Sequence, residues 1–583
     1  MRVRQILVRT LALAAVALAM LWPAFLNRGP FFNPDTRGYL RGADAAIHKL
    51  TGRGTVWPVA VSSSTPAQPH ADAPRPLAQA GQKGILLGRS PFYGLLLAIG
   101  ALDGRFWLTL YLQACAVLLA LALTLRAFAI PVWPGLAWAG LALCLVPALP
   151  FYVCYLLPYL FAGIAILACA VLVSTRRRLP TPDLALWFLL LAASTLFHDS
   201  CTLIAAAFLL LAALRNLARP FRQNGARQNG ARQNGAPPSL RNWSNWPGLA
   251  VILLSLVTAF AGQALVVHGA TRVTGQPPVR LPFLSARLVA DGPGARYLRA
   301  ACPSSGFALC AYVQEFPLGD AEFLFGNQPG RSVFATASNA RRRALSDEQF
   351  RFFLAVLRYD PAAVTGDALL ATVLQLADFR LITFNYDPGM RSQMASRFPP
   401  SVVARIDASR AWRGAIPAAS LSVLLYAEVL VPLAWTLVVL FRRRSDQAIP
   451  AELKSLFLWL LAGIVINAFV CGALSAIDPR YQARVIWLVP FAALLVRLRL
   501  PDTRLHADGL VSAPPFRTMS SWRNAATKAL RVLLGNCPVA ASFLGYSGSP
   551  TDVERRAGVE RRAIAKWLFH EEKATSSNAT NAT

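Results

Sequence analysis

The stretch WPGLAVILLSLVTAFAGQALVVH, residues 246–268, decides the fold class of this chain. It contains no Asp, Glu, Lys or Arg, and about 20 such apolar residues are enough for one helix to cross the core of a bilayer. Similar runs recur along the chain, and 55% of its 583 residues are hydrophobic. A soluble domain rarely has this composition. We therefore expect an all-α polytopic membrane protein.

About ten apolar runs are predicted to be transmembrane helices, and two of them are short. The first run follows Arg2, Arg4 and Arg9 and has features of both a signal peptide and a first span. Because further spans follow and no clear cleavage site is present, we predict an uncleaved signal anchor. The runs are residues 6–26, 106–128, 132–150, 151–174, 184–197, 201–214, 246–268, 418–441, 456–474 and 483–498.

Arginines in the short loops predict the orientation of these spans. If the N-terminus is inside, then Arg126, the arginines at 176–178 and 442–444 and the basic stretch 215–241 all lie on one side. The positive-inside rule makes that side cytoplasmic, so both termini are predicted to be cytoplasmic. Arg far outnumbers Lys, which is typical of a GC-rich bacterial genome and suggests a bacterial inner membrane. Because the net charge of +30 is distributed as topology signals, we predict no nucleic-acid partner.

This topology predicts a large extracytoplasmic helical domain. Ser346 and Gln349 are spaced as a capping box, and Asp360 precedes a first-turn proline. Cys302 and Cys310 in CPSSGFALC are predicted to form a disulfide on this oxidising side. The predicted segments are the anchor 1–26, a first extracytoplasmic loop 27–105, spans two to seven at 106–268 with a flexible loop at 215–245, the extracytoplasmic domain 269–416, spans eight to ten at 417–499, and a basic tail 500–583.

The first candidate site is FFNPDTRGYLRGAD, residues 31–44, directly after the first apolar run. Pro34 favours an extended Asn33 and a turn at the bilayer edge, which presents Asp35 near the interface. A helix from Thr36 would have Asp35 as its N-cap and Tyr39 on its first turns. Asp35 is therefore either a helix cap or a catalytic carboxylate, and Asp44 is the second candidate.

Two further polar groups fall on the same predicted side. In GRSPFYG, from residue 88, Arg89 and Tyr93 precede a short apolar stretch; Arg89 either binds a phosphate or snorkels to the interface. In FHDSC, His198 lies between two short spans, where it either caps a hairpin or contacts substrate. Adjacent His, Asp and Ser residues cannot converge as a catalytic triad does.

The last polar group is IDPRYQAR, from residue 477, at the outer end of the final span. Arg480 and Arg484 are four residues apart, so they can share one face of a helix. Two guanidiniums on one face suit a phosphate or pyrophosphate, and the alternative is a pair of interfacial anchors. Asp478 and Tyr481 accompany them and favour the anion site.

These features together resemble the GT-C-type membrane glycosyltransferases. The resemblance rests on a first span followed by NPDTRGY, on RSPFYGLLLAIGAL, and on a late arginine group in DPRY after a large outer domain. It implies transfer of a sugar from a polyprenyl-phosphate-linked donor to an envelope lipid or glycan acceptor on the extracytoplasmic side. Asp35, or else Asp44, would be the base, and Arg480 and Arg484 would stabilise the leaving phosphate, with Arg89 as a weaker option. Tyr39, Tyr93, His198, Asp478 and Tyr481 would contact substrate.

Two other function classes remain open at this stage. A transporter or flippase of a lipid-linked substrate would place ionisable residues at the bilayer midplane, often in two related halves, whereas the polar groups here lie at one face. A non-catalytic membrane scaffold would not require Asp35. No metal site or cofactor is predicted, although some GT-C relatives use a divalent cation.

Overall fold

The computed structural model describes residues 2–52, 86–101, 104–175, 178–227, 246–326, 328, 330–441 and 449–499. The arginines at 176, 177 and 442–444, most of the RQNGA repeat, and the tail 500–583 lie outside the described residues. The predictions that rest on them stay predictions. Residues 215–227, expected to belong to a flexible loop, continue a helix that ends at Arg227.

Helices dominate the part of the chain that the structure describes. In the first half they are α1 (Arg2–Ala19), α2 (Trp22–Asn27), α3 (Thr36–Thr51), α4 (Pro91–Ala101), α5 (Trp107–Ala127), α6 (Val132–Cys144), α7 (Ala148–Val153), α8 (Leu160–Ser174), α9 (Thr181–Phe197), α10 (Asp199–Arg227) and α11 (Trp246–Thr274). In the second half they are α12 (Phe283–Asp291), α13 (Pro293–Ala301), α14 (Asp320–Phe325), α15 (Asn339–Tyr359), α16 (Pro361–Ala377), α17 (Pro388–Arg397), α18 (Pro400–Asp407), α19 (Ala418–Phe441), α20 (Ala451–Ala468), α21 (Pro479–Ile486) and α22 (Leu488–Arg499).

Short 3-10 helices occupy Ala308–Glu315 and Ile382–Phe384, and a π-helical turn occupies Phe469–Ala473. Two short strands, β1 (Leu86–Leu87) and β2 (Val279–Arg280), pair in parallel, with Leu87 opposite Arg280. This pairing brings the start of the segment after α11 next to the residues that precede Arg89.

Six helices are long and apolar enough to cross a membrane, by length and composition alone. They cover Trp107–Ala127, Asp199–Leu217, Trp246–Arg272, Ala418–Phe441, Ala451–Ala473 and Pro479–Arg499. Shorter apolar helices include α4, α6, α8 and α9. The helical class is confirmed, and the long apolar helices are compatible with a membrane protein.

Proline divides the apolar run at 132–174, which was predicted as two spans. The structure has three helices there, α6, α7 and α8, with Pro147 and Pro158 at the breaks between them. Proline lacks the N–H that a continuing helix needs. In place of the two predicted spans, the structure therefore has the helices α6 and α8, with the short helix α7 between them.

The described residues form two hydrophobic cores. The main core surrounds α8, in which every residue is buried, and it includes side chains from α5, α9, α10, α20 and α21. The second core runs from Val279 to Val364. Phe379, Met394 and Val402, which were assigned to the extracytoplasmic domain, pack in the main core instead. The predicted domain 269–416 thus contributes to both cores.

Helix caps in the second core partly follow the predictions. Asp360 Oδ1 accepts a hydrogen bond from Ala363 N at 3.0 Å and caps α16. The predicted capping box at Ser346 is wrong, because α15 begins at Asn339 and Ser338 Oγ accepts from Arg341 N. Ser338 offers the earlier cap, and the helix-favouring residues that follow it let the helix start there. Cys302 and Cys310 form a disulfide with a Cα–Cα distance of 5.5 Å.

Candidate functional site

The loop that carries Asp35 is fixed by contacts to distant parts of the main core. Phe31 N donates to Cys154 O, and Leu156 N donates to Phe31 O. Phe32 N donates to the Tyr386 hydroxyl at 2.7 Å, and Asn33 Nδ2 donates to the Tyr155 hydroxyl at 2.9 Å. These bonds satisfy buried polar groups of the loop, so the position at which α3 begins is determined by tertiary structure.

Asp35 lies at the N-cap position of α3 but forms an ion pair instead of a cap. Its side chain makes no capping hydrogen bond, and its Oδ2 lies 2.6 Å from Arg89 Nη2. Burial disfavours the charged guanidinium, but the Asp35 carboxylate and Tyr39 outweigh this effect and raise the pKa of Arg89 above its usual value. The structure therefore does not support the alternative that Asp35 only caps a helix.

Tyr39 and Tyr93 lie where α3 packs against α4. Their ring centroids are 5.3 Å apart, and the Tyr93 hydroxyl donates to Gln113 Oε1 at 3.1 Å. Burial, and to a smaller extent Asp35 and Asp199, raise the pKa of the Tyr39 hydroxyl, while Arg89 opposes this shift. Tyr39 therefore faces the charged groups, whereas Tyr93 is a buried support behind it.

Asp44 does not share the position of Asp35. It lies nine residues further along the chain, which corresponds to about 13 Å of helical rise, and it is buried in α3. The geometry therefore favours Asp35 over Asp44 as the carboxylate that could meet a substrate.

Arg480 and Arg484 stack against the same pair of aromatic rings, as their spacing predicts. The Arg480 guanidinium lies 5.9 Å from the Tyr159 ring centroid and 5.2 Å from that of Tyr481. The corresponding distances for Arg484 are 5.2 Å and 5.5 Å. Cation–π contacts of this kind stabilise guanidiniums away from water. Tyr159 was not among the predicted site residues, because it lies in an apolar run in which its position beside Pro158 is the only signal of a role in the site.

The two arginines differ in how their charge is compensated. Arg480 Nε lies 3.0 Å from Asp478 Oδ2, and Asp478 Oδ1 caps α21 by accepting from Arg480 N. Arg484 is fully buried, and among the described residues no carboxylate pairs with it. Its Nη2 donates to Ser200 Oγ at 3.0 Å and to Asn467 Oδ1 at 2.9 Å, but its Nε and Nη1 are buried and have no acceptor in the part of the chain that the structure describes. A buried charge of this kind is costly unless an anion completes the site.

His198 and Ser200 extend the surroundings of Arg484. Ser200 Oγ lies 2.8 Å from His198 Nδ1, and Ser200 N also donates to that nitrogen at 3.2 Å. Because a backbone N–H can only donate, Nδ1 is the acceptor, and we assign the proton of the neutral ring to Nε2. Burial lowers the pKa of His198 well below its usual value, and the charges of Arg484, Arg89 and Arg480 lower it further.

The site has two halves, the ion pair of Asp35 with Arg89 and the pair of Arg480 and Arg484, and they face each other across Tyr159. Its ring packs edge-on against His198, with centroids 5.6 Å apart, and against Tyr481 at 5.8 Å. Arg89 is also close enough to Tyr159 and His198 to affect them electrostatically. Asp35, Tyr39, Arg89, His198, Asp478, Arg480, Tyr481 and Arg484 are therefore brought into one cluster.

Asp199, the middle residue of the His-Asp-Ser triplet, is a further acidic residue beside this cluster that was not predicted as a site residue. Its Oδ1 accepts from Gln263 Nε2 at 3.0 Å, and Gln263 Oε1 accepts from Arg280 Nη2 at 3.4 Å. Arg280 is brought there by the pairing of β1 with β2. In the part of the chain that the structure describes, no group of three or more His, Cys, Asp or Glu residues is arranged to hold a metal ion.

Comparisons of this chain with protein-family models, with curated proteins and with solved structures give no match. Function is therefore inferred from the residues and the geometry of the cluster.

Proposed function

We propose that this chain is a membrane glycosyltransferase of the bacterial inner membrane. In this proposal it crosses the bilayer about ten times, keeps both termini in the cytoplasm and works on the extracytoplasmic side. It moves a sugar from a polyprenyl-phosphate-linked donor to an envelope lipid or glycan acceptor. The observation that carries the proposal is the buried guanidinium of Arg484, which has no carboxylate partner among the described residues, in one cluster with the carboxylate of Asp35.

The positive half of the cluster suits the phosphate of such a donor. Arg484 Nε and Nη1 have no acceptor among the described residues, and the neutral His198 offers an Nε2–H donor nearby. Donors fixed in a water-poor site stabilise a developing phosphate charge far more than they would in water. Arg480, already paired with Asp478, supplies a second and weaker positive field.

The carboxylate half suits activation of an acceptor hydroxyl. Arg89 contacts Oδ2 of Asp35, so Oδ1 is the oxygen that would take the proton. As the acceptor oxygen attacks the anomeric carbon, its O–H proton passes to Asp35, and the bond from the sugar to the phosphate oxygen breaks. The electron pair of that bond leaves with the polyprenyl phosphate, whose charge Arg484 stabilises. A single displacement of this kind inverts the anomeric carbon.

The decisive experiment compares envelope glycolipids and glycans by mass spectrometry in cells that lack the gene and in cells that express the wild type, Asp35→Asn or Asp35→Ala. We expect the wild type to restore a product that both variants fail to restore, at matched membrane levels. Asp407→Asn is the matched control, because Asp407 is an exposed aspartate of α18. Asp44→Asn distinguishes the two candidate carboxylates.

Three outcomes would contradict the proposal in different ways. If both Asp35 variants give the wild-type product, Asp35 is not the base. If deletion of the gene changes no glycolipid or glycan, the enzyme assignment fails. If deletion causes an intact lipid-linked precursor to accumulate on the inner leaflet, the chain is a transporter or flippase instead.

A further inference from the structure

A second group of arginines lies on the side of α3 that faces away from Asp35. Arg37 and Arg41 are four residues apart, so they share one face of the helix. Tyr39, which faces Arg89 and Tyr93, is two residues from each of them, so it lies about 200° around the helix axis. Arg37 is half-buried and Arg41 is exposed.

Tertiary contacts bring Arg397 to the same place. It is the last residue of α17, and the next residue, Phe398, packs edge-on against Phe32 with ring centroids 5.8 Å apart. Phe32 lies just before α3. Burial, together with the positive charges of Arg41 and Arg397, lowers the pKa of Arg37, so Arg37 lies within electrostatic reach of the other two guanidiniums.

The charges of this group are not compensated within the described part of the chain. No carboxylate forms an ion pair with Arg37, Arg41 or Arg397 there. Like charges held close together weaken the folded state unless an anion lies between them. The arrangement therefore calls for an external anion with several acceptor oxygens, and a phosphate group has this chemistry.

The position of the three arginines relative to a candidate membrane span indicates the source of that phosphate. Phe32 also packs against Phe106, with centroids 5.7 Å apart, and Phe106 directly precedes the candidate span Trp107–Ala127. Arg405 in α18 donates to Gly104 O at the same end of that span. The three arginines thus lie where a long apolar helix begins, which is the level of phospholipid headgroups.

We propose that Arg37, Arg41 and Arg397 form a binding site for the phosphate of an anionic phospholipid, separate from the Asp35–Arg484 cluster. A lipid held there ties α3 and α17 to the bilayer surface and neutralises the repulsion between the arginines. The site goes beyond the proposed transfer reaction and does not depend on it.

The test uses the full-length protein in nanodiscs of phosphatidylcholine with a minor fraction of phosphatidylglycerol, and counts retained lipids by native mass spectrometry. We expect the wild type to retain phosphatidylglycerol and the triple variant R37Q/R41Q/R397Q to bind it about 100-fold more weakly, from about 1 kcal/mol per arginine. R358Q is the matched control, because Arg358 is exposed in α15 of the second core.

Folding of the variants is checked by their thermal unfolding midpoints. We expect the triple variant to be at least as stable as the wild type in lipid without phosphatidylglycerol, because repulsion is removed. The variant R37K/R41K/R397K retains the charge and should retain most of the lipid binding, which keeps the test decisive if the glutamine variant does not fold.

Two results would overturn this site. One is equal retention of phosphatidylglycerol by the wild type and the triple glutamine variant. The other is binding of inorganic phosphate in pure phosphatidylcholine discs as tightly as of phosphatidylglycerol, which would make the ligand a soluble phosphate. An Asp35→Asn variant should bind phosphatidylglycerol like the wild type, so failure of this site and failure of the proposed reaction are told apart.

Discussion

At the scale of single residues, Arg484 is the most informative side chain in the protein. Its guanidinium is fully buried, and two of its nitrogens have no acceptor among the described residues, which costs free energy. Ser200 and Asn467 hold its third nitrogen and so orient the other two. An arrangement that lowers stability while fixing an orientation is typical of a functional site.

Replacing this charge with an apolar side chain separates stability from function. We expect Arg484→Met to keep the wild-type free energy of unfolding or to raise it by about 1–4 kcal/mol, because a buried charge with no carboxylate partner among the described residues is removed. Thermal midpoints measure this change. The same variant should lose the glycolipid product. Arg480→Met should be the less stable of the two, since it leaves Asp478 without its cation. A large loss of stability in Arg484→Met alone would show that Arg484 is structural.

His198 predicts how stability depends on pH. Its pKa is lowered in the folded protein, whereas in the unfolded chain it titrates near the ordinary value of about 6.5. Below that pH the unfolded state binds a proton that the folded state does not, so the free energy of unfolding falls as the pH decreases. His198→Gln should show a shallower fall than the wild type between about pH 5 and 6.5, measured by thermal midpoints.

The control for this experiment is His268→Gln, because His268 is exposed in α11. It should follow the wild-type curve. Equal slopes in the wild type and in His198→Gln would mean that His198 takes up its proton in the folded protein as easily as in the unfolded one.

At the scale of elements, the contact between α3 and α4 determines where Asp35 lies relative to Arg89. The two helices approach so closely at Gly94 that a Cβ atom there would lie 2.1 Å from Tyr39 O and 2.9 Å from Ala43 Cβ. Only a residue without a side chain permits this approach. The ion pair of Asp35 with Arg89 at the start of the two helices depends on it.

Gly94→Ala is therefore expected to force α3 away from α4. We expect a loss of about 1–3 kcal/mol in stability from the overpacked contact, together with reduced formation of the product that depends on Asp35. Gly366→Ala is the matched control, because a Cβ in α16 would meet no atom within 4 Å. That change should stabilise the protein by about 0.5–1 kcal/mol. A Gly94→Ala variant as stable and active as the wild type would contradict this role of the helix contact.

At the scale of the whole molecule, the described residues divide into a main core around α8 and a second core that contains the disulfide. The site belongs to the main core. Asp35, Arg89, His198 and Arg484 come from distant segments of the chain, and each lies at or near the end of a helix. These helix ends come together in the cluster, and under the proposed function this is where the lipid-linked donor and the acceptor would meet.

The disulfide provides a test of the predicted orientation. We expect a membrane-impermeant maleimide to label Cys302 and Cys310 from outside intact spheroplasts after reduction, and not before. The double variant Cys302→Ser/Cys310→Ser should give no such labelling, because the other described cysteines lie among the apolar helices and all but Cys115 are buried. Cys537 in the predicted cytoplasmic tail should be labelled after permeabilisation in both proteins. If Cys302 and Cys310 themselves are labelled only after permeabilisation, as extra labelling of the wild type over the double variant, the second core lies in the cytoplasm and the predicted topology is wrong.

The sequence by itself determined the helical class, because long apolar runs without charges can satisfy their backbone only as helices in a bilayer. It also indicated the residues of the cluster, because Asp-Pro, Asn-Pro and closely spaced arginines stand out against an apolar background. Local pattern failed at 132–174, where prolines split two predicted spans, and at Ser346, where an earlier cap was available.

Only the tertiary structure decided which of these residues meet. Whether Asp35 caps α3 or pairs with Arg89, whether Arg484 has a carboxylate partner, and that Tyr159 lies between the two halves all depend on contacts between segments far apart in the chain. Helical periodicity assigns a residue to a face of its own helix and carries no information about the helix packed against that face. The burial and electrostatics that give the site its chemistry arise only from that packing.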